Sequence, residues 1–180
     1  MTEVAKSYGG ALFELCLEDG CEKQVLDELC FVDRLMGENP EWLKLLSAPI
    51  IKKEERLEML DGALKNAVHP YVLNFLKILC THGYIGQYEN CRKEFLNRYY
   101  EVNNIAVAKV ESAVELSQEQ QARLSKKLSE ATNKNIILQC AVEPSLLGGL
   151  RITVNDKQLD GTVKHRLEKI KSNIAQNVLG

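Results

Sequence analysis

AVAKVESAVEL, residues 106–116, is where this chain changes period. Ala108, Val110, Ser112, Val114 and Leu116 alternate with Lys109, Glu111, Ala113 and Glu115, the two-residue repeat of a strand with one buried face. Before this stretch the apolar residues recur at helical spacing, and after it strands and helices alternate. The change predicts an α+β protein: an N-terminal six-helix bundle over residues 1–104, then a small α/β domain over 105–180.

Working towards the N-terminus, helix breakers divide the first hundred residues into six short helices. Val4, Tyr8, Ala11, Leu12 and Leu15 run up to Asp19-Gly20, and Val25, Leu29, Val32 and Met36 run up to Gly37. Pro40 opens a short third helix through Trp42, Leu43, Leu45 and Leu46; Leu57, Leu60, Leu64 and Val68 mark a fourth, closed by His69-Pro70. PYVLNFLKILCTHG, from Pro70 to Gly83, is a fifth helix, apolar nearly all round apart from Asn74 and Lys77. Such a helix is either buried on every side or presents a face to a partner. Ile85, Tyr88, Phe95, Tyr99 and Val102 form the stripe of the sixth, which ends at Asn103-Asn104.

Towards the C-terminus, Ser117 with Gln120 makes a capping box for a helix carrying Leu124, Leu128 and Ala131. Ile136, Leu138, Cys140 and Val142 alternate as a second strand, and Leu150, Ile152 and Val154 as a third. Asp160 then caps a last helix with Val163, Leu167, Ile170, Ile174 and Val178 on one side. The expected order is β-α-β-β-α.

Several chemistries are excluded. Gly148-Gly149 lies within neither GxxxxGK[ST] nor GxGxxG and leads into a strand rather than a helix, so it reads as a backbone bend and not a phosphate cradle. GxSxG and HExxH are absent, and His69, His82 and His165 are scattered. Turn and capping duties account for Asp156 and Asp160. No catalytic, cofactor or metal residues are assigned, and no cofactor is expected. The six cysteines (Cys16, Cys21, Cys30, Cys80, Cys91, Cys140) include no C-x-x-C pair and read as reduced, mostly buried thiols.

The 180 residues carry a net charge of −2, unevenly divided. Residues 1–104 hold 12 Lys and Arg against 17 Asp and Glu, and residues 105–180 hold 11 against 8. The halves therefore suit different partners. The basic cluster Lys164, His165, Arg166, Lys169 and Lys171 admits a nucleic-acid-binding adaptor as an alternative, but it lacks interleaved aromatics and Glu168 interrupts it. No apolar run reaches the roughly 18 residues of a membrane span, and the acidic start has no basic leader region, so the chain is expected to remain cytosolic.

One feature of the first helix points to a partner. Gly9, Gly10 and Ala11 stand beside Tyr8 and Leu12, and small residues let a second helix approach closely. Paired with the apolar fifth helix they form a groove for an amphipathic helix. Plain core packing explains the same spacing equally well.

AKSYGGALFEL at the start, VLNFLKILCTHGYI in the middle, VESAVELSQEQQARLSKKL, and EPSLLGGLRITVNDKQLDGTVKHRLEKI together resemble the delta subunit family of F-type ATP synthases, which includes the mitochondrial oligomycin-sensitivity-conferring protein. The resemblance runs end to end. Its most specific part is Pro-x-Leu-x-Gly-Gly followed at the family's spacing by Asp-Gly-(Ser/Thr)-Val. Gly83-Tyr84-Ile85 departs from a more usual Gly-Arg-Leu, and Thr162 stands where serine is usual.

The resemblance implies a non-catalytic stator subunit that links the alpha/beta catalytic head to the b-subunit peripheral stalk, so that ion flow is coupled to ATP synthesis. It implies that N-terminal helices of alpha subunits bind at Tyr8, Ala11, Leu12, Phe75, Ile78 and Leu79. Val163, Leu167, Ile170 and Ile174 are the corresponding expectation for the b-type stalk subunits. It further implies no nucleic-acid partner, and a peripheral place on the cytoplasmic face of a bacterial cell membrane, with membrane association only through the complex.

Overall fold

Proline and glycine set several of the helix ends. A computed structural model describes residues 2–146, 148–154 and 157–160, the last four as backbone alone. Helix α1 (Glu3–Asp19) stops at Gly20, whose φ of 65° is left-handed. Helix α3 (Pro40–Ser47) and helix α5 (Pro70–Thr81) each begin on a proline. Helix α2 (Glu22–Glu38) lies between α1 and α3, and α4 (Lys53–Leu64) between α3 and α5; a 3-10 turn (Ile85–Gln87) then leads into α6 (Tyr88–Val102). Gly37 does not end α2 as expected. The helix continues through it to Glu38, and the stop is Asn39, which Pro40 pushes out of helical geometry and whose side-chain amide donates to the Leu35 carbonyl at 2.9 Å.

The chain divides into two compact units, Met1–Tyr100 and Glu101–Gly180. In the first, α1, α2, α4, α5 and α6 bury one continuous core that includes Phe13, Leu29, Leu60, Leu76, Leu79 and Phe95. Phe13 and Phe95 meet edge to face at 5.3 Å. Tyr88 is buried in the same core, and its hydroxyl donates to the Leu29 carbonyl at 2.6 Å, since a polar atom removed from water needs a partner. Burial pushes that hydroxyl's pKa well above the usual tyrosine value. Replacing Tyr88 by Phe is expected to cost about 1 kcal/mol, read as a lower denaturation midpoint at unchanged denaturant dependence.

The second unit begins with strand β1 (Ile105–Ser112), followed by α7 (Gln118–Thr132), β2 (Asn135–Val142), β3 (Leu150–Val154) and β4 (Lys157–Asp160). The sheet order is β2-β1-β3-β4, with β1 parallel to β2 and the other pairs antiparallel. Register places Ala106 and Ala108 opposite Ile136 and Leu138, and Val154 opposite Ala108; Leu124 and Leu128 of α7 pack on this face. Ser117 closes α7 with both capping-box bonds: its hydroxyl accepts from Gln120 N at 3.2 Å, and its N–H donates to Gln120 Oε1 at 2.9 Å. Ser117→Ala is expected to destabilise this unit by about 1 kcal/mol, measured by thermal unfolding.

Two expectations for this unit change. The alternation through Val114 and Leu116 does not extend the strand: β1 ends at Ser112, whose hydroxyl donates to the Val114 carbonyl at 2.7 Å and turns the chain, leaving Val114 exposed. A fourth strand is added, in which Asp160 is the terminal residue, opposite Arg151. The expected last helix lies outside the described residues. Gly148 and Gly149 have φ of 131° and 85°, so the pair bends the backbone into β3.

Candidate functional site

The first unit carries an open apolar groove between α1 and α5. Its walls follow from the helical repeat: Tyr8, Ala11, Leu12 and Leu15 on α1, and Tyr71, Asn74, Phe75 and Ile78 on α5, enclosing about 340 Å³. Each set is i, i+3, i+4, i+7, the stripe that one face of a helix presents over two turns. Ile78 is 46% exposed and Leu15 41%, whereas Leu12 and Phe75 are buried and form the floor.

The two helices run antiparallel. At one end Tyr8 lies 5.9 Å from Tyr84 and 6.3 Å from His82, ring centre to ring centre, just past the C-terminus of α5. At the other, the Tyr71 hydroxyl donates to Asp19 at the C-terminus of α1. That bond holds the Tyr71 hydroxyl proton and raises its pKa. The groove is therefore mainly apolar along its length, with Asn74 the one polar side chain of its walls between the polar ends. Beside it, Lys77 pairs with Asp61 at 2.6 Å, which draws that cation away from the groove towards α4.

Five of the six residues expected here, Tyr8, Ala11, Leu12, Phe75 and Ile78, come together on this surface. Leu79 does not: it is fully buried and belongs to the core beneath. Leu15, Tyr71 and Asn74 complete the walls. Leu15 lies seven residues beyond Tyr8 on the same apolar stripe, so periodicity marks it, but nothing local shows that it remains uncovered.

Gly9 and Gly10 turn away from the groove, contrary to expectation. A Cβ on Gly9 would stand 2.4 Å from the Cys91 carbonyl oxygen, and one on Gly10 would stand 2.5 Å from Arg98 Nη2. They bring α1 against α6, while Ala11 keeps the groove open. Arg98 is held there by Glu94 at 2.9 Å and Glu14 at 2.6 Å.

A second hollow of about 620 Å³ lies in the other unit, where Gly148, Gly149 and Leu150 face Leu124, Arg123 and Lys127 of α7. It gathers no set of titrating groups suited to acid–base work. Among the described residues no cluster of His, Cys, Asp and Glu could hold a metal ion. All six cysteines are free; Cys16, Cys80 and Cys91 are buried, but Cys30 and Cys140 are exposed, so the expectation of mostly buried thiols holds for only half of them. Val163, Leu167, Ile170 and Ile174, and the basic cluster around Lys164, lie outside the described residues.

Known proteins match over nearly the whole chain. The family model described as ATP synthase delta (OSCP) subunit covers residues 4–174. The ATP synthase subunit delta of Lachnoclostridium phytofermentans is 34% identical over 179 residues, covering 98% of each chain, and that of Alkaliphilus oremlandii is 31% identical over 173 residues, covering 96% of each. A chain in the Toxoplasma gondii mitochondrial ATP synthase hexamer has the same fold, with a TM-score of 0.72 at 16% identity over 97% of this chain and 98% of that one. With its helical unit, its four-stranded α/β unit and these matches end to end, the chain belongs to the ATP synthase delta (OSCP) subunit family.

Proposed function

We propose that this chain is a stator subunit of an F-type ATP synthase, whose helical unit, read as a six-helix bundle, holds N-terminal helices of alpha subunits in the groove between α1 and α5. As a member of its family it is a non-catalytic structural subunit of the synthase and a peripheral component of that complex. No described helix is long and apolar enough to cross a membrane. Its attachment to the cytoplasmic face of a bacterial membrane would then run through the complex. The α/β unit, residues 105–180, is the part assigned to the b-type stalk subunits.

The observation that carries this reading is the pair of i, i+3, i+4, i+7 faces left uncovered along one groove. A single amphipathic helix with anchors at the same spacing fills such a groove side chain by side chain. A monomeric protein gains nothing by exposing Ile78 and Leu15, and a contiguous apolar patch rimmed by polar residues is a binding surface.

The mechanical task fits an apolar contact. Torque on the catalytic head has to be resisted through many turnovers, so the partner must leave slowly. Differences in dissociation rate, set by buried anchors, govern such affinities more than association does. Exposed ion pairs contribute little and are screened by salt. The test is co-purification from detergent-solubilised membranes: the tagged chain is expected to bring down alpha and b subunits together. Recovery of the chain without either would overturn the reading.

A further inference from the structure

The turn between α1 and α2 brings two cysteines together. Gly20 N–H donates to the Leu17 carbonyl at 3.4 Å, and Cys21 N–H donates to the Cys16 carbonyl at 3.0 Å. This pair of bonds around a left-handed glycine is the Schellman closure of a helix, in which the residue after the glycine packs on the residue five positions earlier. Those two residues are usually apolar; here both are thiols. The Cys21 side chain is among the groups that act on the Cys16 thiol, by hydrogen bonding and by charge.

The two differ in access. Cys16 is fully buried, whereas Cys21 is half-buried and lines an open hollow with Gly20, Lys23, Gln24 and Asp27 on the α2 side. Burial pushes the Cys16 thiol up to about 12, with Cys21, Glu22 and Asp19 adding to the effect, so Cys16 stays protonated at neutral pH and does not react first. The other buried thiols, Cys80 and Cys91, have no cysteine beside them in sequence.

We propose that Cys16 and Cys21 are an oxidisable pair, a modification site at which hydrogen peroxide converts the turn into an intramolecular disulfide. In the first step the Cys21 sulfur attacks a peroxide oxygen, the O–O bond breaks, and Cys21 becomes a sulfenic acid while the departing oxygen leaves as water. In the second step the Cys16 sulfur attacks the Cys21 sulfur. The S–O bond breaks, and hydroxide takes the Cys16 proton to leave as a second water. The two sulfurs together lose two electrons and one peroxide gains them. A dithiol reductant reverses the bond. Because the closed loop is short, the disulfide fixes the α1–α2 turn, and its chain-entropy effect is smaller than that of a long loop.

The experiment uses the full chain carrying Cys30→Ser and Cys140→Ser, so that neither exposed thiol can interfere. After treatment with hydrogen peroxide and alkylation of the remaining thiols, peptide mapping is expected to find residues 16 and 21 linked, with the mass of two hydrogen atoms lost and restored by dithiothreitol. Cys21→Ser should abolish the link and leave Cys16 reduced. Cys16→Ala, or Cys16→Ser if the alanine variant folds poorly, should leave a sulfenic acid on Cys21 that a dimedone probe traps. Oxidation of Cys21 only to sulfinic acid with Cys16 present, or linkage of Cys21 between two molecules, would overturn the proposal.

Discussion

Ile78→Asp is expected to weaken binding of an alpha-subunit N-terminal helix by roughly 30- to 1,000-fold, the loss of an interface anchor worth about 2–4 kcal/mol. The side chain stands at the open edge of the groove, 46% exposed, where a carboxylate still reaches water in the free protein. A docked helix would strip that water; no Lys or Arg is among the residues lining the groove, and Lys77 beside it is engaged by Asp61. Folding should change little, so the unfolding midpoint serves as an internal control. Ile50→Asp supplies the other control: Ile50 is 93% exposed but lies off the groove, and its substitution should leave the titration unchanged.

The second large effect is on stability, at Gly9. Adding a methyl group there meets the Cys91 carbonyl oxygen at 2.4 Å, a backbone atom that moves only if α1 and α6 separate. Overpacking of this kind costs about 1–3 kcal/mol, and the helix-propensity gain of roughly 1 kcal/mol from glycine to alanine offsets only part of it. Gly10→Ala is the contrast. Its new methyl meets the end of the Arg98 side chain, which can swing aside at the expense of contacts to Glu94 and Glu14 that are partly exposed. Denaturant titration should therefore show Gly9→Ala clearly destabilised and Gly10→Ala close to neutral. Equal losses at both positions would mean that α1 and α6 do not approach as described.

These positions also show what could be read from the chain alone. Helix ends at Gly20, Pro40 and Pro70 follow from backbone chemistry within a few residues, as does the Ser117–Gln120 capping box. The change of period at Ala106 locates the start of the sheet for the same reason. Strand β4 was not legible, because Lys157–Asp160 has a single apolar residue, Leu159, and depends on its pairing with β3. Val114 misled because alternation says which side chains share a face but not where Ser112 turns the chain.

For the groove the division is similar. Periodicity identified the apolar stripe of α1, the sequence showed α5 to be apolar nearly all round, and five of the six residues expected at the partner site are among the eight that line the groove. Which stripe residues remain uncovered is a tertiary fact. Leu79 and Ile78 are adjacent and equally apolar, yet one is core and the other surface, depending on which neighbours arrive. Likewise, Gly9 and Gly10 announce a close approach without naming the helix that makes it. Family membership, by contrast, was carried by segments spread along the chain, and the family model matches residues 4–174, so local misreadings do not disturb it.

The central claim, that the α1/α5 groove holds an alpha-subunit helix, is tested most directly by amide hydrogen exchange on the full chain with and without a synthetic alpha N-terminal peptide. Exchange should slow at the ends and open faces of the two helices, over residues 8–15 and 71–78, and remain unchanged over 105–160. Protection confined to 105–160, or binding that leaves both helices unprotected, would contradict it.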